Sequence, residues 1–178
     1  MREVDVNSSN EVLLKSALSR TEYLPEYRPA PQVFRYREPD LKGRPRAITR
    51  LFMSDLMCGL VQVIKKGGET TLHSHAAMDG LWMVLAGRAR FYGEGNAVIG
   101  EFGPLEGVYI PRDVKYWFES VLDDPPLQIL QIEGFVQGKK NTYTSYGAQA
   151  SEDDLARQAS LIRFMDAGAG GGANGSPE

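Results

Sequence analysis

The chain has 178 residues, of which 42% are hydrophobic, and its 20 basic and 23 acidic residues give a formal net charge of −3. This length and composition fit one globular domain with flanking segments, and the mild acidity argues against nucleic acid, which selects basic surfaces. The single cysteine, Cys58, excludes an internal disulfide and lies in an apolar run where we expect burial. No stretch approaches the roughly 20 apolar residues of a membrane helix and no secretory signal is visible, so we expect no membrane partner and a cytoplasmic location.

The first region, residues 1–47, is predicted to contain a short helix followed by a proline-rich arm. Asn10 is a suitable N-cap for a helix through EVLLKSALSR, in which apolar residues recur at helical spacing. The next stretch, EYLPEYRPAPQVFRYREPDLKGRPR, has too many prolines for a long helix. We therefore expect it to run as an extended arm along the surface of the main body.

Residues 48–147 have the pattern of an all-β domain. Short runs rich in Val, Ile, Leu and aromatic residues are separated by Gly, Asp and Pro, which favour turns. Many short strands without helical segments between them predict a sandwich or a barrel. The strand-like runs are TRLFMSD, GLVQVIKKG, GLWMVLAG, RARFYGEG, GVYIPRD, KYWFESV and LQILQIEGF.

The last region is predicted to form a helix over residues 148–166 and a disordered Gly/Ala tail over residues 167–178. Ser151 is a suitable N-cap, and the acidic residues after it favour a helix N-terminus. The tail has almost nothing to bury. The apolar face of the predicted helix consists of Leu155, Ala159, Ile162 and Met165.

Both histidines of the chain lie in one short stretch, LHSHAAMDGLW, as His73 and His75. Residues two apart in a strand point to the same face, so both imidazoles can face one cavity and chelate one transition metal. A metal needs further ligands, since zinc usually takes four and non-haem iron takes two histidines and a carboxylate. Without a metal, the rings can serve as hydrogen-bonding groups or as acid and base. They can also be polar interior residues held by Thr70 and Thr71.

The stretch around the histidines resembles the cupin family of small β-barrels. The first motif of that family reads Gly, five residues, His, one residue, His, three or four residues, Glu, six residues, Gly. Four positions of this sequence match the motif: Gly67, His73, His75 and Gly87.

The resemblance is incomplete at the family's metal ligands. The glutamate position falls on Gly80, and the neighbouring Asp79 would point to the opposite face of a strand unless a bulge turned it inward. In the second motif, EGVYIPRDVKYWFES, Pro111 matches, whereas Asp113, Tyr116 and Ser120 replace the family's glycine, third histidine and asparagine.

The resemblance covers residues 55–135 and implies a jelly-roll barrel, the double-stranded β-helix, around a small-molecule site. It implies one divalent transition metal, Fe, Zn, Ni or Mn, with His73, His75 and Tyr116 as candidate ligands. A phenol with a pKa of about 10 is a poor ligand unless a metal lowers that pKa. His75 and Tyr116 are the candidate catalytic residues of an isomerase, epimerase or dioxygenase, with or without metal. A non-catalytic binding module that has lost its metal is the alternative, and a purely structural barrel is a third.

Four further residues are candidates for ligand binding. Strand alternation places Trp82 on the same face as position 80 and Phe118 on the same face as Tyr116. These two aromatic residues fit either a stacking platform for a ligand or core filling. Arg88 and Arg90 share one face and fit either a carboxylate or phosphate ligand or surface ion pairs with Glu94 and Glu101.

The barrel is expected to form a homodimer. Cupin-like barrels often pair through a strand from an arm, and here an arm precedes the barrel. Such pairing covers a sheet edge whose backbone groups would otherwise have no partner.

Overall fold

The computed structural model describes residues 30–147 and 161–167, which form eleven β-strands and one short 3₁₀ turn at Glu94–Asn96. In chain order, the strands are β1 (Arg46–Met53), β2 (Met57–Ile64), β3 (His73–His75), β4 (Met78–Ala86), β5 (Ala89–Tyr92), β6 (Val98–Phe102), β7 (Gly107–Ile110), β8 (Trp117–Ser120), β9 (Leu127–Phe135), β10 (Tyr143–Ser145) and β11 (Ile162–Asp166).

The strands form two layers around one core. A six-stranded sheet has the order β11-β1-β2-β9-β4-β7. The other layer consists of a three-stranded sheet, β6-β5-β8, and a two-stranded ribbon, β10-β3, which a bridge between His73 and Tyr116 joins. Side chains from both layers meet in one apolar cluster. The jelly-roll barrel predicted from the sequence is confirmed.

Alternating hydrophobicity explains which face of each strand is buried. In β9, the buried positions are 127, 129, 131 and 133, and the residues between them are partly exposed. In β4, the buried positions are 78, 80, 82 and 84. Burying a large apolar side chain contributes about 1.5–3 kcal/mol, so this pattern fixes the register of both strands. The largest buried apolar residues of the shared cluster are Trp82, Phe91, Phe118, Ile64, Leu127 and Ile129.

Two turns have a left-handed backbone at residues that fall on the cupin motifs described above. Gly87 has φ 76°, and a Cβ atom there would lie 2.8 Å from the carbonyl oxygen of Pro126, so only glycine fits. Asp113 stands where the family has glycine and has φ 64°. Aspartate is one of the few residues that tolerate this conformation, so the turn does not require glycine at position 113.

The described part of the arm lies against the barrel. Gln32 forms hydrogen bonds with the backbone of Met53, as a donor to its carbonyl oxygen at 3.0 Å and as an acceptor from its N–H at 3.3 Å. The ring centroids of Phe34 and Phe52 are 6.1 Å apart. The Tyr36 hydroxyl donates to Gln128 Oε1 at 3.1 Å, so the arm reaches β9 as well as β1.

The predicted C-terminal helix is wrong at its end. Residues 162–166 form β11, which pairs in parallel with β1 from Arg46 opposite Ile162 to Arg50 opposite Asp166. Ile162 and Phe164 pack on Ile48 and Leu60. The helical spacing of apolar residues is overridden because β1 offers an open edge and an apolar surface to a segment that also alternates with period two.

Other predictions concern residues that the structure does not describe. The N-terminal helix over EVLLKSALSR, residues 148–160 of the predicted C-terminal helix and residues 168–178 of the tail lie outside the described ranges. Barrel pairing begins at Arg46, two residues before the predicted start at residue 48. Within residues 30–147 and 161–167, no helix is long and apolar enough to cross a membrane.

Candidate functional site

The two histidines lie side by side in the buried strand β3. His73 and His75 are 5% and 6% exposed, and their ring centroids are 5.3 Å apart with the ring planes at 89°. Tyr143 on the neighbouring strand β10 contacts both rings, with centroid distances of 5.0 Å to His73 and 5.5 Å to His75. The expectation that both imidazoles share one face is met in this geometry.

Tyr116 completes this group of rings. Its backbone exchanges two hydrogen bonds with His73, with N···O distances of 3.0 and 2.9 Å, although the two residues are far apart in the sequence. This pairing places the phenol ring 4.3 Å from the His73 ring, measured between centroids. On its other side, Tyr116 lies 4.9 Å from Trp82, measured in the same way. The predicted His73, His75 and Tyr116 are therefore neighbours in the barrel interior.

A backbone carbonyl fixes which nitrogen of His73 carries the proton. Nδ1 lies 2.6 Å from the carbonyl oxygen of Thr71. A carbonyl oxygen only accepts hydrogen bonds, so Nδ1 must be the protonated nitrogen of the neutral ring. Nε2 of His73 is therefore an unprotonated acceptor.

Asn141 fixes the opposite tautomer in His75. The Oδ1 atom of Asn141 accepts the N–H of Ala77 at 3.2 Å, which determines the orientation of the amide. Its NH₂ group therefore faces Nδ1 of His75, at 3.2 Å, and donates to it. Nδ1 of His75 is the acceptor, so Nε2 carries the proton.

Burial keeps both imidazoles neutral. The pKa of His73 is lowered to about 3, mainly by burial and also by His75 and Arg46, while the Thr71 carbonyl opposes the shift. Burial also lowers the pKa of His75 to about 4. At neutral pH, the two rings therefore present one Nε2 acceptor and one Nε2–H donor.

The two phenols of the site remain protonated. Burial raises the pKa of Tyr116 well above its usual value, and the negative charge of Glu133 raises it further. Burial raises the pKa of Tyr143 as well. Both hydroxyl groups can therefore donate hydrogen bonds at neutral pH.

These residues do not fit the metal that the resemblance implies. A ligating imidazole must offer a lone pair, but Nδ1 of His75 accepts from Asn141 and its Nε2 carries a proton. Tyr116 keeps its proton, so it is not the phenolate that a metal would bind. Among the described residues, no group of three or more His, Cys, Asp or Glu side chains is placed to hold an ion.

The two nearby carboxylates do not complete such a site. Asp79, which a bulge could have turned inward, instead accepts the backbone N–H of Arg112 at 2.9 Å and pairs with its guanidinium at 3.2 Å. Glu133 lies opposite Gly80 in the β4–β9 register, so a buried carboxylate occurs beside the family's glutamate position but on the next strand. It accepts a hydrogen bond from Gln131 at 2.9 Å.

Gly80 has a packing role in this barrel. A Cβ atom at position 80 would lie 2.0 Å from the Trp82 indole, so the indole occupies the space that a side chain would need. We predict that Gly80→Ala lowers the free energy of unfolding by about 1–3 kcal/mol, as overpacked cores do. Urea denaturation checks this value.

The matched control for Gly80→Ala is Gly93→Ala. At position 93, φ is −97° and an added Cβ atom would meet nothing closer than 3.8 Å, so we expect a change within about 0.5 kcal/mol. Equal effects of the two substitutions would contradict the packing role of Gly80.

A chain of buried polar side chains across β1, β2 and β9 was not predicted from the sequence. The guanidinium of Arg46 donates to Gln62 Oε1, and the Gln62 amide donates to Gln131 Oε1. The Gln131 amide then donates to Glu133, as described above. A signal was available, because Gln131 and Glu133 continue the inward alternation of Leu127 and Ile129 in LQILQIEGF.

The remaining predicted ligand-binding residues take different places. Trp82 contacts Tyr116, whereas Phe118 stacks on Phe91 at 4.7 Å and fills the apolar core behind it. Arg88 and Arg90 require a correction, because both pair with Glu101 on the outer surface, at 3.4 and 2.7 Å. Alternation explains this position, since Ala89 and Phe91 take the inward positions of β5.

The strand order and the shared core define a double-stranded β-helix. Among solved structures, the chain is similar to an uncharacterized conserved protein with a double-stranded β-helix domain from Klebsiella pneumoniae. The two share 12% identity, and the match covers 69% of this chain and 98% of that chain with a TM-score of 0.54. This likeness establishes the fold.

Two other solved structures are similar at lower TM-scores. An RmlC-like cupin protein from Desulfovibrio desulfuricans shares 20% identity over 62% of this chain and 96% of that chain, with a TM-score of 0.45. KdgF from Halomonas shares 13% identity over 59% of this chain and 89% of that chain, with a TM-score of 0.46. No protein-family model and no curated protein matches the chain.

Proposed function

We propose that the barrel binds a small polar molecule at His73 and His75 without a metal. The observation that supports the proposal is the opposite hydrogen-bonding polarity of the two Nε2 atoms, fixed by Thr71 and Asn141. Neither Nε2 atom has a hydrogen-bond partner among the described residues. A ring donor beside a ring acceptor, neither with a partner among the described residues, fits a ligand that supplies both complements.

Binding fits the electrostatics better than acid–base catalysis. A general base works best when its pKa lies near the operating pH, whereas the pKa of His73 is about 3. The Tyr116 phenol does not meet that condition either, because its pKa is raised well above its usual value. We therefore propose a binding module first.

Ligand-induced stabilisation tests the proposal. We expect at least one member of a panel of sugar nucleotides, keto acids and phenolic acids to raise the melting temperature of the native protein. A ligand present at 100 times its Kd stabilises the folded state by about 2.7 kcal/mol, or roughly 5–10 °C for a domain of this size. Differential scanning fluorimetry checks this prediction.

Substitutions assign the binding to the two histidines. His73→Gln and His75→Gln should each remove most of the thermal shift, because each replaces a ring nitrogen of fixed polarity. Tyr92→Phe is the control, since Tyr92 points away from the histidines. It stacks on Trp117 and donates a hydrogen bond to Glu119. Equal shifts in all variants, or no shift with any compound, would reject the proposal.

A proton-transfer enzyme is the second candidate. It is favoured by the 4.3 Å contact between the His73 ring, which carries an unprotonated Nε2, and the Tyr116 phenol. Incubating the protein with each compound that binds, followed by mass spectrometry and NMR, separates the two candidates. Isomerised product that disappears in Tyr116→Phe would favour the enzyme, and an unchanged compound would favour the binding module.

Other expectations from the sequence stay predictions. These are the homodimer, the cytoplasmic location and the absence of a nucleic-acid partner.

A further inference from the structure

Arg46 lies beside the site and is only partly paired. One end of its guanidinium donates to Gln62, but its Nε atom is buried and has no hydrogen-bond partner among the described residues. Burial lowers the pKa of Arg46 to about 10, so the group remains charged at neutral pH. The charge interacts with the phenols of Tyr116 and Tyr143 and with His73, which places it at the same group of rings.

No carboxylate of the described residues forms an ion pair with this charge. Within residues 30–147 and 161–167, Arg46 forms no ion pair, although other arginines do. The buried carboxylate of Glu133 is at the other end of the chain that runs through Gln62 and Gln131. Both amides of this chain are therefore occupied, and neither of them pairs with Nε of Arg46. A buried cation without a counter-charge is costly, so a negatively charged partner would stabilise it.

Most of the unpaired polar groups of this site are hydrogen-bond donors. The unpaired donors are Nε–H of Arg46, Nε2–H of His75 and the buried indole N–H of Trp82, and the protonated phenol of Tyr116 adds a fourth. The unpaired imidazole acceptor is Nε2 of His73, and the buried, unpaired hydroxyl of Thr71 can either accept or donate. A ligand that satisfies this set must be rich in acceptors, and a carboxylate offers two oxygens to an arginine.

We infer that the molecule bound in this barrel carries a carboxylate, and that Arg46 is the residue that anchors it. The inference rests on the proposed function and names the class of its ligand. The lone pair of His73 Nε2 then requires a donor elsewhere on the same molecule, such as a hydroxyl group.

Matched acids and amides test the inference. The probes are acetate and acetamide, pyruvate and pyruvamide, and benzoate and benzamide, titrated into the native full-length protein by calorimetry. Each pair has nearly the same shape, but the amide has no charge. We expect at least one acid to bind about 10- to 100-fold more tightly than its amide, the range for a hydrogen bond to a charged group.

Variants of Arg46 assign this preference. Arg46→Gln should reduce the affinity for the acid to that for the amide. Arg46→Lys should retain part of the preference, because lysine keeps the positive charge but lacks the planar guanidinium that donates two hydrogen bonds to a carboxylate. Arg50→Gln is the control, since Arg50 lies on the same strand but pairs with Asp166 at the surface. Melting curves verify that the variants fold. If Arg46→Gln does not fold, the ratio of acid affinity to amide affinity is compared between the native protein and Arg46→Lys, and a smaller ratio in Arg46→Lys supports Arg46 as the anchor.

The outcomes separate the inference from the proposed function. Acids and amides that bind equally, with binding lost in His75→Gln, would overturn the carboxylate anchor and leave the binding module intact. If acids are preferred and Arg46→Gln retains that preference, the assignment of Arg46 is overturned. If neither these probes nor the larger panel binds, both proposals are overturned.

Discussion

Acidification from about pH 7 to about pH 5 is expected to lower the free energy of unfolding by about 3–4 kcal/mol. The folded protein keeps His73 and His75 neutral, with pKa values of about 3 and about 4. In the unfolded chain, both rings take up protons below their ordinary pKa of about 6.5. The unfolded state therefore binds more protons than the folded state, and stability falls as the pH falls from about 6.5 towards about 4. Urea denaturation at a series of pH values measures this slope.

The pH dependence of stability can be assigned to individual residues because the chain contains two histidines. We expect His73→Gln and His75→Gln each to remove about half of the slope between pH 7 and pH 5, and the double variant to remove nearly all of it. Carboxylates with lowered pKa values, such as Glu101, contribute below this range. A slope that persists in the double variant would show that the buried rings do not cause it.

Asn141→Asp is expected to give the barrel a metal site. The carboxylate that replaces the amide can accept at both of its oxygens, so it would still accept the N–H of Ala77 but would also require a proton on Nδ1 of His75. Nε2 of His75 would then offer a lone pair beside that of His73, whose ring lies 5.3 Å away between centroids. Carboxylate partners of this kind change metal affinity by about 10- to 100-fold. We expect Ni²⁺ to bind about that much more tightly than to the native protein, as measured by calorimetry.

Two controls locate the new site. Adding His73→Gln to Asn141→Asp should abolish the gain, because one of the two lone pairs is lost. Asn96→Asp adds the same carboxylate at the surface, where Asn96 accepts from the Trp117 indole at 3.1 Å, and should leave Ni²⁺ affinity unchanged. Native protein that already binds one Ni²⁺ per chain through His73 and His75 would contradict the tautomers assigned to the two rings.

The barrel was predictable because its strands repeat one simple pattern. Runs such as LQILQIEGF bury every second residue, and the turns between the runs carry Gly, Asp or Pro. The segment that became β11 was not predictable by the same means. Ile162 fits both helical and strand spacing, and the open edge of β1, more than a hundred residues earlier in the chain, selects the strand.

The position of the histidines was predictable, but their chemistry was not. Alternation correctly placed His73 and His75 on one face, and the family resemblance placed Tyr116 beside them. Their tautomers depend on Thr71 and Asn141, and Asn141 lies 66 residues from its partner His75. No local pattern links such distant residues. The part played by Arg46 was equally hidden, because the first predicted strand, TRLFMSD, begins after it.

The opposite tautomers of His73 and His75 have a consequence for selectivity. A pair of identical groups would accept a ligand in either of two orientations, whereas this pair distinguishes its two ends. Replacing a ligand hydroxyl by a methyl group of similar size would leave one ring nitrogen without a hydrogen-bond partner. Sites built to hydrogen-bond a hydroxyl discriminate against analogues that lack it by several orders of magnitude in specificity. The barrel would therefore select the orientation of its ligand as well as the shape of that ligand.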